Sequence, residues 1–474
     1  MLTASERDVI QPSRAFRLRW AVLAIVLVAE VMDLIDGTIV LVAAPAIRAD
    51  LGGSEATLQW LGAAYTLAFA VLLITGGRLG DRFGRRRLFL VGVVGFTTMS
   101  ALCAAAPSPG TLIALRALQG GFGALLIPQG FGMIKEVFPA QELTKAFAAF
   151  GPVIGLSAVV APIVGGALID ADMLGSGWRA IFLVNVPLGL VGLAGALRVL
   201  PRTAGDRALR LDPAGAILVT LAAVALVYPL VQGREQGWPA WCFALLAAGI
   251  AGFGLFLGYE RRHRDRALIA PGLLANRAYT SGLLVAVCFF AAMIGLNLVL
   301  SVFCQLGEGF SPLRTGLTLA PFALGVAFTA PASYPLAQRV GRSSLQAGFL
   351  VMAGGLVLLA LMVHGAGEGV SSWTLVPGEL VAGMGMGVAL PPLFDFILAG
   401  VQPREVGSAS GVLNAVQQLG AALGLAVLAT IFFSFLDHHR LPTEAMTSTT
   451  LLSIVPLGAA FLATWLLPER AREL

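Results

Sequence analysis

The sequence predicts an all-α polytopic membrane protein with 14 transmembrane helices, arranged as two pseudo-symmetric six-helix bundles plus two linking helices. Three observations carry this expectation. First, 57% of the 474 residues are hydrophobic and only 12% are charged, with a mean hydropathy of +0.86. A water-soluble globule cannot hide that much apolar surface, and intrinsic disorder needs the opposite composition. Second, apolar stretches of about 20 residues, the length that crosses a bilayer as a helix, recur along the whole chain. Third, basic side chains alternate between successive connecting segments.

The apolar stretches lie near 20–44, 57–76, 87–106, 111–134, 144–170, 179–199, 214–231, 240–258, 278–303, 313–338, 344–363, 375–399, 407–436 and 449–467. Membrane-spanning β-strands are excluded, because they alternate apolar and polar over about ten residues. Of the 31 basic side chains, 25 fall in the tails and one set of alternate loops, 5 fall in the other set, and Arg116 lies inside a helix. This bias places both termini in the cytoplasm and requires an even number of spans. It also accounts for the net charge of +5 without a nucleic-acid partner. The segment before Trp20 is charged and lacks a small-residue cleavage site, so it is expected to be a cytoplasmic tail and not a signal peptide. Cys103, Cys242, Cys288 and Cys304 show no C-x-x-C spacing and read as small hydrophobes. No metal site and no disulfide framework are expected.

The longest charged loops, 198–212 and 260–277, bracket the seventh and eighth stretches. The expected division is a cytoplasmic tail at 1–19, a six-helix bundle at 20–199, linking helices with their loops at 200–277, a second bundle at 278–467 and a cytoplasmic tail at 468–474. A short repeat supports duplication. The loop after the second stretch contains Arg82-Phe83-Gly84-Arg85, and the loop after the tenth contains Arg339-Val340-Gly341-Arg342. Such internal repeats are common among transporters.

Chemistry is concentrated in a few helices. The first carries Glu30, Asp33 and Asp36 within an apolar run. Three-residue spacing places them on one broad face. Each carboxylate in lipid costs roughly 2.5–3.5 kcal/mol, so three must face a cavity or partners. Two readings stand: a proton relay, since crowded like charges in low dielectric cannot all stay ionised, or buried charges that hold the bundle together. The fourth helix carries Arg116, roughly 8 Å from its end at 1.5 Å per residue, and Asp36 lies at a comparable depth, roughly 10 Å. The two can meet as a pair that a proton on the carboxylate would break, or as a permanent salt bridge. The fifth helix is rich in small and kinking residues: Gly151, Pro152, Gly155, Ser157, Ala161, Pro162, Gly165 and Gly166. Small residues permit close helix contact, and Pro162 bends the helix.

The segment 77–87, Gly-Arg-Leu-Gly-Asp-Arg-Phe-Gly-Arg-Arg-Arg, is a cationic loop whose side chains can reach lipid phosphates. In the twelfth helix, Glu379 and Asp395 sit near opposite interfaces, where solvation is the simplest expectation. Gln129 in the fourth helix and Asn414, Gln417 and Gln418 in the thirteenth are candidates for a substrate cavity, or for hydrogen bonds between helices. Nucleotide-binding and hydrolase motifs are absent.

At this point the residues resemble a known family. The segment 77–87 resembles the loop signature of the major facilitator superfamily. Leu112-x-x-x-Arg116-Ala-Leu-Gln119-Gly120 resembles its fourth-helix motif, and Ser157-x-x-x-Ala161-Pro162-x-x-Gly165-Gly166 the fifth-helix motif of its antiporters. Asp36-Gly-Thr38 through Pro45, with Trp178-Arg179 through Asn185-Val-Pro187, is similar to its 14-helix drug:proton antiporters. The resemblance implies that Gly80, Asp81, Arg82, Gly84 and Arg85 form a cytoplasmic gate. It implies that Arg116 couples protonation to substrate binding and that Asp36 is the acid of that coupling, with Asp33 and Glu30 as features of a subgroup. Three departures stand out. Ser157 and Ala161 replace glycines, Phe122 fills a small-residue position, which implies a narrower cavity or altered packing, and Gln338 replaces an aspartate in the second-half loop.

The expected function is proton-coupled export of small apolar or cationic drugs across the cytoplasmic membrane by alternating access. The proton gradient would supply the energy, with no cofactor and no catalytic residue. The expected partners are substrate, protons and lipid, acting on a monomer. The rivals are a dedicated exporter of one endogenous metabolite or antibiotic, an uptake system, a channel and a polytopic membrane enzyme. No filter sequence and no convergent catalytic set speaks for the last two.

Overall fold

The computed structural model describes residues 18–470 apart from 140, 141, 144, 147, 148, 203, 210, 264–266, 368, 403, 404 and 439. The expected tail at 1–19 falls almost wholly outside the described residues, as do Arg404 and 471–474. The described chain is helical, with no strand. The long helices are α1 (Arg19–Leu51), α2 (Glu55–Phe83), α3 (Arg85–Ala104), α4 (Pro109–Val137), α5 (Phe150–Ala171), α6 (Asn185–Val199), α7 (Pro213–Gln232), α8 (Ala240–Arg262), α9 (Arg277–Val302), α10 (Pro312–Val340), α11 (Ser343–Ala366), α12 (Ser372–Leu398), α13 (Val406–Asp437) and α14 (Pro442–Ala463). Short helical turns lead into α6, so that this span runs Gly177–Val199. Twelve spans among the described residues are long and apolar enough to cross a membrane. The other two are α1, with 33 residues and four acids, and α5, with 22 residues.

Local chemistry explains the helix boundaries. Ser108, Asp212, Asn276, Ser311 and Ser371 stand at N-caps and accept from backbone N–H groups of the first turn, which satisfies donors the helix leaves free. One boundary differs from expectation. The segment 77–87 is hardly a loop: α2 runs to Phe83 and α3 starts at Arg85, with Gly84 alone between them. A helix satisfies its own backbone groups, so nothing compels it to end where the hydrocarbon does. The turn needs a positive φ, and Gly84 supplies it at 95°, its N–H capping on the Gly80 carbonyl. Gly341, at φ 59°, does the same between α10 and α11, capping on Ala337.

In the first half, α2 and α3 pack on α4, α3 packs on α6, and α1 packs on α5. In the second half, α10 and α11 pack on α12, and α9 and α11 on α14. The halves meet along α2–α13 and α5–α10. The linking helix α7 lies against α2 and α13, and α8 packs on α7. Phe243, Ile250 and Leu255 of α8 are largely exposed, as a lipid-facing surface requires.

Candidate transport pathway and charged network

The first-half helices gather the buried charge. Asp36 of α1 and Arg116 of α4 form a salt bridge with both side chains fully buried. The other Asp36 oxygen accepts from Gln119 Nε2 at 2.9 Å and from Asn185 Nδ2 at 2.8 Å. Arg116 also donates to Gln119 Oε1 at 2.8 Å and to the Leu61 carbonyl at 3.2 Å. Its guanidinium lies 4.4 Å from the Tyr65 ring centroid, a favourable cation–π placement. Asn185 reaches on to Ser100 of α3 at 3.1 Å. One carboxylate thus ties α1, α4 and α6 together, and Asn185 extends the tie to α3. A buried ion pair offsets its desolvation only when further hydrogen bonds satisfy the remaining groups, and Gln119 and Asn185 do this. The network is not saturated, since Arg116 Nη2 and Asn185 Oδ1 have no partner.

The three acids of α1 diverge. Asp33 accepts from the Tyr65 hydroxyl of α2 and is buried. Glu30 is half-buried. Gln119, Asn185 and Tyr65 complete the site, although sequence reasoning did not single them out as site residues. A signal existed for Gln119, which follows Arg116 by three and so shares its helix face. No spacing links Asn185 or Tyr65 to Asp36, because they arrive from other helices.

Two parts of the structure bring the halves together. On the face away from the termini, α5 crosses α10 with glycines in reciprocal contact. A Cβ on Gly166 would lie 2.3 Å from the Pro312 carbonyl oxygen, and one on Gly316 would lie 2.3 Å from that of Pro162. Gly165 meets Ile39 of α1 as tightly. Asp170 accepts from the Ser311 hydroxyl at 2.6 Å, and Ser301 and Gln305 donate to the carbonyls of Leu41 and Val42. The Pro162–Gly166 end of the small-residue stripe of α5 is therefore a close seam. On the termini face, a cleft of about 300 Å³ opens between α2, α4 and α13, with Asp81, Arg85, Gln129 and Asn414 in its lining.

The residues expected to form a gate and a cavity take the following places. Asp81 accepts from Arg85 at 2.9 Å, and Arg85 also pairs with Glu136 of α4 at 3.1 Å. Arg82 sits over the Phe83 ring. Gln129 is buried and donates to the Gly76 carbonyl at 2.8 Å, so it joins α4 to α2 at the cleft wall. Gln417 and Gln418 are half-buried on α13, outside that lining. Phe122 does not fill the interior: its ring lies over Gly95 of α3, where a Cβ would come within 2.1 Å. Glu379 corrects the sequence expectation. It is 4% exposed, not solvated, because α12 packs between α10 and α11. Asp395 accepts from the Tyr334 hydroxyl at 2.7 Å. Near the termini face, Arg19 donates to Glu142 at 2.7 and 3.2 Å, and these bonds hold that carboxyl below its ordinary range. Among the described residues no group of three or more His, Cys, Asp or Glu is placed to hold a metal.

Fourteen long helices, a buried charge network in one half and a tight seam between halves define a polytopic transport protein. The chain belongs to the Major Facilitator Superfamily, whose family model matches residues 26–425. Members of this superfamily move small molecules across membranes without a cofactor, so the chain is a transporter and not an enzyme. It is 50% identical over 428 residues to the probable actinorhodin transporter of Streptomyces coelicolor, covering 89% of this chain and 74% of that protein. It is 38% identical to the puromycin resistance protein pur8 of Streptomyces alboniger, covering 91% and 86%. Among solved structures it matches a POT family transporter in complex with a thioalcohol-conjugated peptide, with a TM-score of 0.68 and 16% identity, covering 92% and 94%. At that identity the match shows the fold alone.

Proposed function

We propose that the chain is a proton-coupled antiporter that exports small apolar or cationic compounds, antibiotics among them, across the cytoplasmic membrane. Both termini face the cytoplasm, as the arginine bias requires, and the six-helix bundles rock about the central pathway. The observation that carries the reading is the Asp36–Arg116 pair, fully buried between α1 and α4. A proton on Asp36 removes the charge that holds the guanidinium, and the helices tied to that carboxylate then lose a common anchor. Protonation in the membrane core so becomes a change in helix packing. The relatives' names, an actinorhodin transporter and a puromycin resistance protein, support export of antibiotics.

A second reading is a dedicated exporter of one antibiotic, favoured by the 50% identity to the probable actinorhodin transporter. One experiment addresses both. Inside-out vesicles carrying the protein are given an imposed pH gradient and a panel of dyes and antibiotics. Gradient-dependent uptake, abolished by an uncoupler and by Asp36→Asn, is the expected outcome. Uptake indifferent to the gradient, or undiminished in Asp36→Asn, sinks the proton-coupled reading. Uptake of many panel members supports multidrug export, and uptake of one chemical class supports the dedicated exporter.

A further inference from the structure

The termini face carries a second cavity besides the cleft between the halves. It is a pocket of about 590 Å³ on the flank of the first half, between the α2–α3 corner and the segment that leads to α7. Five arginines line it: Arg82, Arg86, Arg87, Arg202 and Arg207. No carboxylate is among its described lining residues. Asp81 is engaged with Arg85, and the Asp206 carboxylate accepts from the Ala208 N–H. The Nε atoms of Arg82 and Arg86 are buried without a partner. Buried donors ordinarily find acceptors, and guanidiniums crowded without counter-charge repel one another. The arrangement is nonetheless built. The Asp206 N–H donates to the Asp81 carbonyl at 2.8 Å, and Gly205 lies so close to the corner that a Cβ would come within 2.3 Å of the Arg82 carbonyl oxygen.

The other wall is apolar. Phe83, Leu90 and Val91 form it, with Ala204 and Gly205 of the linker also in the lining. Beyond them Val94 of α3 and Leu190 and Leu197 of α6 are exposed, which forms a lipid-facing band that starts at the pocket. A ligand that fits both walls has a phosphate at one end and acyl chains at the other. Arginine forks match phosphate oxygens in bidentate fashion. We propose that this pocket is a site for the phosphodiester headgroup of an anionic phospholipid, which clamps the linker before α7 onto the α2–α3 corner. This assignment goes beyond the transport reading and stands without it, because a structural lipid site needs no proton coupling.

The test uses the full purified chain in neutral detergent. Phosphatidylglycerol, phosphatidylcholine and glycerol 3-phosphate are titrated in turn, with bound lipid counted by native mass spectrometry and unfolding followed by heating. Phosphatidylglycerol alone is expected to stay bound and to raise the melting temperature. Arg202→Gln/Arg207→Gln should weaken it by about tenfold, the scale of one charge-assisted hydrogen bond. Arg261→Gln/Arg262→Gln removes the same charge from the exposed end of α8 and should leave binding within about twofold. Equal losses in the two double variants would mean diffuse surface attraction and overturn the site. Equal stabilisation by glycerol 3-phosphate would overturn the lipid assignment in favour of a soluble phosphate, and equal binding of phosphatidylcholine would overturn the requirement for negative charge.

Discussion

Asp36 and Glu379 are both buried carboxylates in transmembrane helices, one in each half of the chain, and the protein treats them differently. Asp36 has an arginine and two side-chain amides around it. Glu379 receives no hydrogen bond or ion pair among the described residues, although it is 4% exposed. Elsewhere the second half buries a set of aromatic side chains: Phe289, Phe303, Phe349, Phe432 and Phe433 are fully buried. The repeated corners differ in the same sense. Gly84 and Gly341 both turn with a positive φ and make the same cap. The arginines that follow have different partners: Arg85 bridges Asp81 and Glu136, while Arg342 donates to the carbonyls of Leu467 and Trp465 and makes a longer ion pair with Glu469 at 3.7 Å. The two corners share a cap, and the buried Asp36–Arg116 network lies in the first half. The first half thus holds the buried ion pair on which the proposed proton coupling rests, and the second half holds a buried carboxylate with no such partner.

That contrast can be broken or sharpened experimentally. The largest effect is expected from Arg116→Ala. It leaves the Asp36 charge buried and uncompensated, at a cost of about 3–5 kcal/mol, and transport should be lost. Arg116→Lys keeps the charge without the fork and should fall between Ala and wild type. Thermal unfolding in detergent together with vesicle uptake measures both, and a lysine variant no better than alanine would remove the geometric argument.

Next comes the seam. Gly316→Val places side-chain atoms against the Pro162 carbonyl and should cost about 1–3 kcal/mol as overpacking does. It should also slow transport more than Gly254→Val in α8, where the structure shows open space around the residue. Equal uptake rates in the two variants would deny the seam a role.

The paired acids give a smaller and more discriminating test. Asp36→Asn should abolish gradient-driven uptake, whereas Glu379→Gln should keep the fold and cost no stability, because no partner is orphaned. A Glu379→Gln protein as inactive as Asp36→Asn would assign proton handling to both halves. The smallest effect concerns Glu142. Arg19 depresses its folded value, so the contribution of this contact is present above the ordinary glutamate range. It is lost as pH falls through the folded value. The acid side of a stability profile should therefore flatten slightly in Glu142→Gln, and an unchanged profile would mean that this half-buried pair contributes nothing, as many pairs near the surface do.

Much of this was legible in the sequence for identifiable reasons. Spans show because lipid demands about 20 apolar residues. Asp36 and Arg116 show because a charge in such a span is costly and must be explained. The α5 stripe shows because small residues at helical spacing signal close approach. Gly316, its partner on α10, did not show, since one glycine in a chain with 57 of them carries no flag. Glu379 was misjudged because distance from a helix end measures depth in the bilayer, not what packs around the side chain. The corner at 77–87 was expected as a loop because charge marks the membrane boundary, which a helix is free to cross.

Composition, span length and arginine distribution are properties of the linear chain answered by the bilayer alone, so the all-helical membrane architecture and the presence of buried charge follow from them directly. Which charges find partners is another matter. Asn185 reaches Asp36 across 149 positions, and Arg202 and Arg207 share a pocket with Arg82 because a linker folds back on a corner. Such meetings depend on how rigid helices pack, and side chains brought together from distant positions share no periodicity in the sequence that bears them.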